Sequence, residues 1–208
     1  SDTLYIFPEG ILSGIYFNEL QDFEKIFRNN FYDDDAIILG ATINKNSNIY
    51  NSLILMHSNL DVQSVYHKNN LVPFGEFLPM QEIFKKYGLK KITEGSGSFS
   101  SGGINKLYSY ESLSILPLIC YEIIFPELIQ KSNFNNLIIN ISEDAWFGDS
   151  IGPSQHFSKT IFRAIENDTY VLRSANKGIS AIINNKGQVI KSLKSNESGN
   201  LEYKLPII

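Results

Sequence analysis

The chain has 208 residues, of which 43% are hydrophobic, so it can bury the core of one α/β-sized domain. Its net charge of -4 and its lack of a basic cluster argue against nucleic acid as a partner. A single cysteine excludes an internal disulfide, and no uninterrupted apolar run approaches the roughly 18 residues of a membrane helix. The first residues do not form a signal peptide.

The first predicted strand brings a carboxylate to the start of a loop. Residues Thr3–Phe7 alternate as a short strand does, and Pro8-Glu9-Gly10 ends it. Glu9 therefore lies at a strand end, where α/β folds keep their chemistry. A helix is predicted from Asn18, with Gln21 at the spacing of a capping box. Its apolar face consists of Phe17, Leu20, Phe23 and Phe27.

Further strands are predicted to follow this helix as neighbours. They cover residues 36–43, 49–56 and 61–67, and the last delivers Lys68. In the loop that follows, Glu76 is the only charge, and prolines and a glycine exclude a helix. The segment from Phe77 to Gly103 contains a possible helix and a Gly/Ser-rich stretch that cannot pack a core. We expect a mobile lid there, and a plain surface linker is the alternative.

The lone cysteine follows directly on a buried strand. Strands are predicted at residues 104–110 and 113–119, and a short helix at 122–130. Cys120 then occupies a strand-to-helix corner, where a nucleophilic side chain is exposed beyond the edge of the sheet. The backbone N–H of Tyr121 is available to a developing oxyanion. The alternative is that Cys120 is a small buried hydrophobic residue.

In the last third of the chain, the sequence pattern predicts a buried strand, a helix and three more strands. The first strand covers residues 137–141, and the helix begins at Pro153. Its predicted inner face consists of Phe157, Ile161, Ala164 and Ile165. The last strands cover residues 169–174, 178–183 and 188–193, with Gly187 supplying a positive φ in the final turn. No internal repeat or domain boundary is visible.

Three strand ends carry a set of groups suited to acyl transfer. The Glu9 carboxylate can take the proton of the Cys120 thiol, and the Lys68 ammonium can favour the thiolate and stabilise an oxyanion. The competing assignment is a Cys–His pair. The chain has three histidines, His57, His67 and His156. Each is more often structural or exposed in such positions, and they lack metal-ligand spacing, so we predict no metal ion.

Four ordered segments resemble the nitrilase-like domain of apolipoprotein N-acyltransferases. They are Glu9 after a strand, Tyr66–Glu76 with Val-Pro-Phe-Gly-Glu, Leu118–Glu122 with Cys-Tyr-Glu, and Asp144–Phe157 with Asp-Ala-Trp-Phe-Gly-Asp. The Cys-Tyr-Glu corner alone is typical of the wider carbon-nitrogen hydrolase superfamily. The resemblance implies an α/β fold of the nitrilase-like α-β-β-α sandwich type and a Glu-Lys-Cys triad. The catalytic residues would be Glu9, Lys68 and Cys120, with Glu76 as a second essential acid.

The chain departs from the family pattern in two places. Gly10 and Ile11 follow Glu9 where a Thr or Ser is more usual, and Glu143 stands where Asn is more usual. The family's domain also has a strand and helix ahead of the catalytic Glu and lies among membrane helices. We therefore expect residues 1–208 to be one catalytic domain excerpted from a longer membrane protein, lacking its first strand-helix unit, with a sheet edge exposed.

The resemblance implies a two-step acyl transfer. Cys120 would take a fatty acyl group from a phospholipid as a thioester and pass it to the α-amino group of a diacylglyceryl-cysteine at a lipoprotein N-terminus. It implies no cofactor and a place in the bacterial inner membrane, with the domain on the periplasmic side. Candidate substrate-binding residues are Phe74, Tyr121, Glu122, Trp146 and Phe147. A water-poor entrance would be lined by Phe74, Phe77, Leu78, Trp146 and Phe147, and the alternative is that each of these is ordinary core.

Two other functions stay open at this point. The first is a soluble amidase of the same fold that hydrolyses a small amide. The second is a catalytically silent domain in which Cys120 only packs. Thioester formation from phospholipid distinguishes the transferase from the amidase, and the reactivity of Cys120 toward an acyl probe tests the silent domain.

Overall fold

The chain folds into two β-sheets whose outer faces carry helices. The computed structural model describes residues 3–77, 98–103, 107–130 and 137–206. In spatial order, the first sheet contains β1 (Leu4–Ile6), β2 (Ala36–Lys45), β3 (Asn48–His57) and β4 (Val62–His67). The second contains, in spatial order, β10 (Val189–Leu193), β9 (Ser180–Ile183), β8 (Tyr170–Asn176), β7 (Leu137–Glu143), β6 (Leu113–Ile119) and β5 (Tyr108–Tyr110).

The helices are short apart from one. The α-helices are α1 (Glu24–Asn30), α2 (Pro126–Gln130) and α3 (Gly152–Glu166), and 3₁₀ turns cover Phe17–Phe23, Cys120–Ile124 and Asp144–Phe147. In the described part of the chain, none of these helices has the length and apolar character needed to cross a membrane.

The sheets pack against each other, and alternate residues of their strands face the helices. In β2, Ile38 faces the second sheet and contacts the central core, whereas Ile37 packs with Phe27 of α1. In β7, Ile139 belongs to the central core, whereas Ile138 packs on the side of α3. Strands that are covered on both faces have continuous apolar sequences, and β2 and β7 have such sequences. The predicted α-β-β-α sandwich is therefore confirmed.

The first predicted helix differs from the structure in its start and its type. It begins as a 3₁₀ turn at Phe17 and becomes an α-helix only in α1. The capping carboxylate is that of Glu19, which accepts a hydrogen bond from the backbone N–H of Tyr16 at 2.8 Å. The predicted Asn18–Gln21 capping box is therefore wrong, because the chain turns two residues earlier than the apolar pattern indicates.

Two other helix predictions are corrected. The segment predicted as one helix from residue 122 is divided at Phe125, which is extended with φ -95° and ψ 101° because a residue before proline avoids the helical region. In α3, Ile165 is 51% exposed, whereas the buried face carries the polar residues His156, Thr160 and Arg163. His156 pairs with the buried carboxylate of Asp144, and Arg163 donates to the carbonyl of Ile123. An apolar-periodicity argument does not count such partners.

The segment predicted as a lid is described only at its ends. Residues 78–97 lie outside the described residues, and so does the start of the strand predicted from residue 104. The returning chain at Gly102 donates a backbone hydrogen bond to the carbonyl of Lys68 at 2.8 Å. A β-carbon on Gly102 would overlap the carbonyl oxygen of His67, so only glycine fits this approach. This end of the segment is thus packed directly against the residue that precedes Lys68.

Candidate active site

Three strand ends place Glu9, Lys68 and Cys120 in one site between the sheets. Glu9 follows β1, Lys68 follows β4 and Cys120 follows β6. Each of the three influences the ionisation of another: Glu9 and Cys120 both act on Lys68, and Glu9 and Lys68 act on Cys120. The residues that the sequence predicts as a triad therefore lie together. Gly40 allows this, because a β-carbon there would lie 2.9 Å from the Cα of Glu9.

The Glu9 carboxylate is held by one donor from each side of the site. Its Oε1 accepts from Nδ2 of Asn51 at 2.7 Å, and its Oε2 accepts from the backbone N–H of Glu143 at 2.9 Å. Burial raises the pKa of Glu9 above its ordinary value, although the Lys68 ammonium acts in the opposite direction. A carboxylate with a raised pKa is a stronger base, as proton abstraction from a thiol requires.

Lys68 is a charged residue that is almost completely enclosed. It is 1% exposed, and its Nζ lies 2.9 Å from each oxygen of Glu76. Burial lowers the pKa of Lys68, but the carboxylates of Glu9 and Glu76 outweigh it and the net shift is upward. The ammonium form is therefore kept at neutral pH, and it can stabilise negative charge that develops beside it.

Asn51 joins the two carboxylates, and the sequence analysis did not select it. Its Nδ2 donates to Glu9 at 2.7 Å and to Oε1 of Glu76 at 2.8 Å. Oε2 of Glu76 also accepts from the backbone N–H of Val72 at 2.8 Å, which ties the proline-containing loop to the site. The available signal was an asparagine within the predicted strand at residues 49–56, since asparagine is depleted in strands.

Cys120 occupies a strained backbone position at the corner after β6. Its φ is 49°, a left-handed value that non-glycine residues adopt at functional sites when surrounding structure imposes it. Burial raises the pKa of the Cys120 thiol to about 12, and Glu9 adds to this while Lys68 opposes it. The resting group is therefore a thiol at neutral pH. It needs a base such as Glu9 at the moment of attack.

Glu122 has a different environment from the substrate contact predicted for it. It is fully buried, and its Oε1 accepts from the hydroxyl of Tyr66 and the backbone N–H groups of Asn69 and Asn70 at 2.7–3.0 Å. Its Oε2 accepts from the N–H of Ile119 at 2.9 Å. With no access to solvent, Glu122 instead links the chain beside Lys68 to the chain beside Cys120.

The other predicted substrate-binding residues divide into two groups. Tyr121, the residue after Cys120, lines an open cavity of about 540 Å³. Most of that cavity's lining is apolar or aromatic and includes Leu71, Pro73, Phe77, Phe99 and Phe125. Phe74, Trp146 and Phe147 lie outside this cavity and are exposed at the surface, Trp146 by 63%. Leu78 lies outside the described residues.

The two departures from the family pattern face each other. The side chain of Glu143 accepts hydrogen bonds from the N–H of Ala145 at 3.0 Å and from Nδ2 of Asn176 at 2.6 Å. Gly10 has a φ of 79°, and a β-carbon there would lie 2.8 Å from Oε2 of Glu143. Glycine at position 10 therefore makes room for the longer carboxylate beside Glu9.

The histidines do not supply a base to the thiol in the described structure. Nδ1 of His67 pairs with the hydroxyl of Ser52 at 2.8 Å, and Nδ1 of His57 lies 3.2 Å from the carbonyl of Asp35. His156 lies near Cys120, but its Nε2 contacts the Cys120 carbonyl oxygen and not the thiol, at 3.1 Å. Among the residues that the structure describes, no cluster of His, Cys, Asp and Glu is arranged to hold a metal ion.

The fold and the site define a class of proteins in which a cysteine at a strand end lies beside a glutamate and a lysine. A family model for carbon-nitrogen hydrolases matches residues 3–206, and the chain belongs to that family. Within the family, it is similar to proteins named apolipoprotein N-acyltransferase. One, from Allorhizobium ampelinum, is 42% identical over 152 residues, which are 72% of this chain and 29% of the relative. Another, from Rickettsia typhi, is 38% identical over 181 residues, which are 83% of this chain and 36% of the relative.

Solved structures agree with the fold at low sequence identity. An amidase from Nesterenkonia sp. aligns with a TM-score of 0.66 at 16% identity, covering 94% of this chain and 74% of the amidase. A superfamily protein from Xanthomonas campestris aligns with a TM-score of 0.66 at 19% identity, covering 95% of this chain and 76% of that protein. The resemblance to apolipoprotein N-acyltransferases is confirmed by the relatives, although the chain spans only about a third of their length.

Proposed function

We propose that this chain is the catalytic domain of an N-acyltransferase that completes bacterial lipoproteins. The observation that supports it most is the Cys120 corner, where a strained cysteine lies with Glu9 and an enclosed Lys68. This arrangement suits acyl transfer through a thioester. The acyl chemistry and the identity with relatives of that name lead to the same function.

The first half-reaction forms a thioester. Glu9 takes the proton of the Cys120 thiol as the sulfur attacks the ester carbonyl of a phospholipid. The oxyanion that forms lies within reach of the Lys68 ammonium and the Tyr121 N–H. As the tetrahedral intermediate breaks down, the lysophospholipid oxygen leaves and receives the proton from Glu9. Cys120 then carries the fatty acyl group.

The second half-reaction uses the same groups in the opposite order. The α-amino group of a diacylglyceryl-cysteine attacks the thioester carbonyl and gives up a proton to Glu9. The carbon–sulfur bond breaks, Cys120 recovers its proton, and the lipoprotein leaves as an amide. Water must be kept from the thioester, and an apolar entrance lined by Phe77 and Tyr121 serves this purpose.

Glu76 and Asn51 position the site in this scheme. Glu76 holds the Lys68 ammonium through both of its oxygens, and Asn51 fixes the spacing between Glu76 and Glu9. Rotamers that are locked by such contacts keep reacting groups within the narrow range that catalysis needs. We assign neither residue a direct part in bond making.

The proposal places this chain in a longer membrane protein. The matched segments cover 29% and 36% of relatives that carry the acyltransferase name. The donor and acceptor would both be lipids with long acyl chains, so the site would open onto a membrane. The resemblance to apolipoprotein N-acyltransferases implies that this is the periplasmic face of the bacterial inner membrane. No cofactor takes part in the scheme.

An amidase is the second candidate, because the solved structures that share this fold include one. The two functions differ in what acylates Cys120. The purified full-length protein should be exposed to phosphatidylethanolamine vesicles and digested, and the mass of the peptide that contains Cys120 should then be measured by mass spectrometry. A mass increase of one fatty acyl group on Cys120 supports the transferase. If Cys120 stays unmodified after exposure to phospholipid and the protein releases ammonia from small amides, the transferase proposal is rejected in favour of an amidase.

A further inference from the structure

A buried ionic cluster lies directly behind the nucleophile. Nη2 of Arg173 donates to both oxygens of Asp144 at 3.1 and 2.8 Å, and the hydroxyl of Ser142 donates to the same carboxylate at 2.6 Å. Nδ1 of His156 lies 3.0 Å from Oδ1 of Asp144. All four side chains are buried. They come from β7, the turn after it, α3 and β8, so the cluster joins separate elements behind one residue.

The cluster reaches the nucleophile through the outer nitrogen of His156. Nε2 of this histidine lies 3.1 Å from the carbonyl oxygen of Cys120. A carbonyl oxygen only accepts hydrogen bonds, so Nε2 carries a proton and donates it to the Cys120 carbonyl. His156 is therefore a donor to the backbone of the nucleophile and not a base for its thiol.

The carbonyl that His156 holds belongs to the same peptide group as the N–H of Tyr121. The chain has no cis peptide bond among its described residues, and in a planar trans peptide the C=O and N–H point in opposite directions. Fixing the direction of the Cys120 carbonyl therefore fixes the direction of the Tyr121 N–H. A hydrogen bond to the carbonyl also polarises the group and strengthens its N–H as a donor.

We propose that His156 is a positioning residue for the oxyanion site, acting through the Cys120–Tyr121 peptide group. This inference rests on the proposed function in one respect, that Cys120 is the nucleophile. Asp144 and Arg173 hold the imidazole ring in place, and the ring holds the peptide group. The left-handed φ of Cys120 needs such support, because this conformation is unfavourable for a residue other than glycine.

Asp144 keeps its negative charge in this cluster. Burial would raise the pKa of this carboxyl, but the hydrogen bond from His156 and the charge of Arg173 lower it to about 2. Asp144 therefore remains a carboxylate throughout the physiological range. Arg173 also donates to the side-chain oxygen of Asn140, which anchors the guanidinium to β7.

The test compares a reaction that passes through an oxyanion with one that does not. Acylation of Cys120 by an ester forms a tetrahedral oxyanion, whereas alkylation by iodoacetamide does not. In the full-length protein, His156→Leu should slow single-turnover acylation by about 100-fold, the typical effect of losing one oxyanion donor. Alkylation of Cys120 should change by no more than about twofold, because the thiol and Glu9 are untouched.

Two further variants keep the test decisive. His156→Gln retains an N–H donor near the position of Nε2 and should recover at least about tenfold of the lost acylation rate. Thr160→Val, on the same buried face of α3, is the matched control and should leave both reactions unchanged, since the Thr160 hydroxyl has no hydrogen-bond partner among the described residues. Equal loss of acylation and alkylation, or normal acylation by His156→Leu, would overturn the inference.

The experiment also separates this inference from the proposed function. The rates are measured with phospholipid and with p-nitrophenyl butyrate, an activated ester that any cysteine acyl-enzyme can use. If only phospholipid fails as a donor, the transferase proposal falls and the His156 comparison still stands on the activated ester. If Cys120→Ala is acylated as fast as wild type, the nucleophile assignment falls, and the inference about His156 falls with it.

Discussion

The ion pair between Lys68 and Glu76 gives the most quantitative prediction. Lys68 is 1% exposed and the Glu76 side chain 12%, and each Glu76 oxygen lies 2.9 Å from the ammonium. Glu76→Gln removes this charge and turns one oxygen into a donor that faces other donors. Removing one partner of a buried pair costs about 3–5 kcal/mol. We expect about 3 kcal/mol, because Glu9 still faces Lys68. The loss of position should also slow acylation by about 100-fold.

A double-mutant cycle separates the pair from general damage. Unfolding free energies of the full-length protein are measured for Glu76→Gln, Lys68→Met and the double variant. The double variant should be more stable than the two single effects predict by about 2 kcal/mol, because it removes both charges of the Lys68–Glu76 pair together. The exposed Lys186–Asp168 pair, 69% and 70% exposed, supplies the control cycle and should give no measurable coupling. A Lys68–Glu76 coupling below about 0.5 kcal/mol would refute this reasoning.

Other outcomes test the nucleophile, the base and the packed end of the predicted lid. Cys120→Ser should fold normally yet lose acylation, because a hydroxyl is far less acidic than a thiol; single-turnover acylation at wild-type rate would exclude Cys120. Glu9 works only when deprotonated and burial raises its pKa, so kcat/KM should fall with decreasing pH at a value above the ordinary 4.5. If the acidic limb of the pH profile of kcat/KM has its midpoint at or below 4.5, the assignment of Glu9 as the base is contradicted. Gly102→Ala should impair both acylation and alkylation, because its β-carbon would overlap the His67 carbonyl. Gly103→Ala is the control and should impair neither, because no atom of the described residues lies within 4 Å of the added β-carbon.

Local patterns predicted the strands and the corner well. Continuous apolar runs identified strands such as β6 and β7, because both faces of each are covered. The corner at Cys120 followed from where an apolar run ended. Helix types were less predictable: one proline decided that the chain divides at Phe125, and a carboxylate at Glu19 decided where the first turn begins. These choices depend on single hydrogen bonds and backbone angles, which apolar periodicity does not encode.

The residues of the site were predictable only in part. Glu9, Lys68 and Cys120 each ended a predicted strand, so strand order brought them together. Asn51 and Glu122 could not be assigned in this way, because their roles come from partners far along the chain. Asn51 joins carboxylates 42 and 25 residues away in sequence. Such roles depend on tertiary contacts that no local pattern records.

The contact between Gly10 and Glu143 makes two distant positions mutually dependent for anyone who mutates this protein. At Gly10 the backbone has a φ of 79° and a β-carbon would lie 2.8 Å from the Glu143 carboxylate. A scan of position 10 in the present background should therefore favour glycine, because any other residue is strained at this φ and must displace the Glu143 carboxylate. After Glu143→Asn the shorter side chain withdraws from that space, and a small residue such as serine should become tolerable at a cost set mainly by backbone strain. The order in which the two changes are made then decides whether an intermediate is functional.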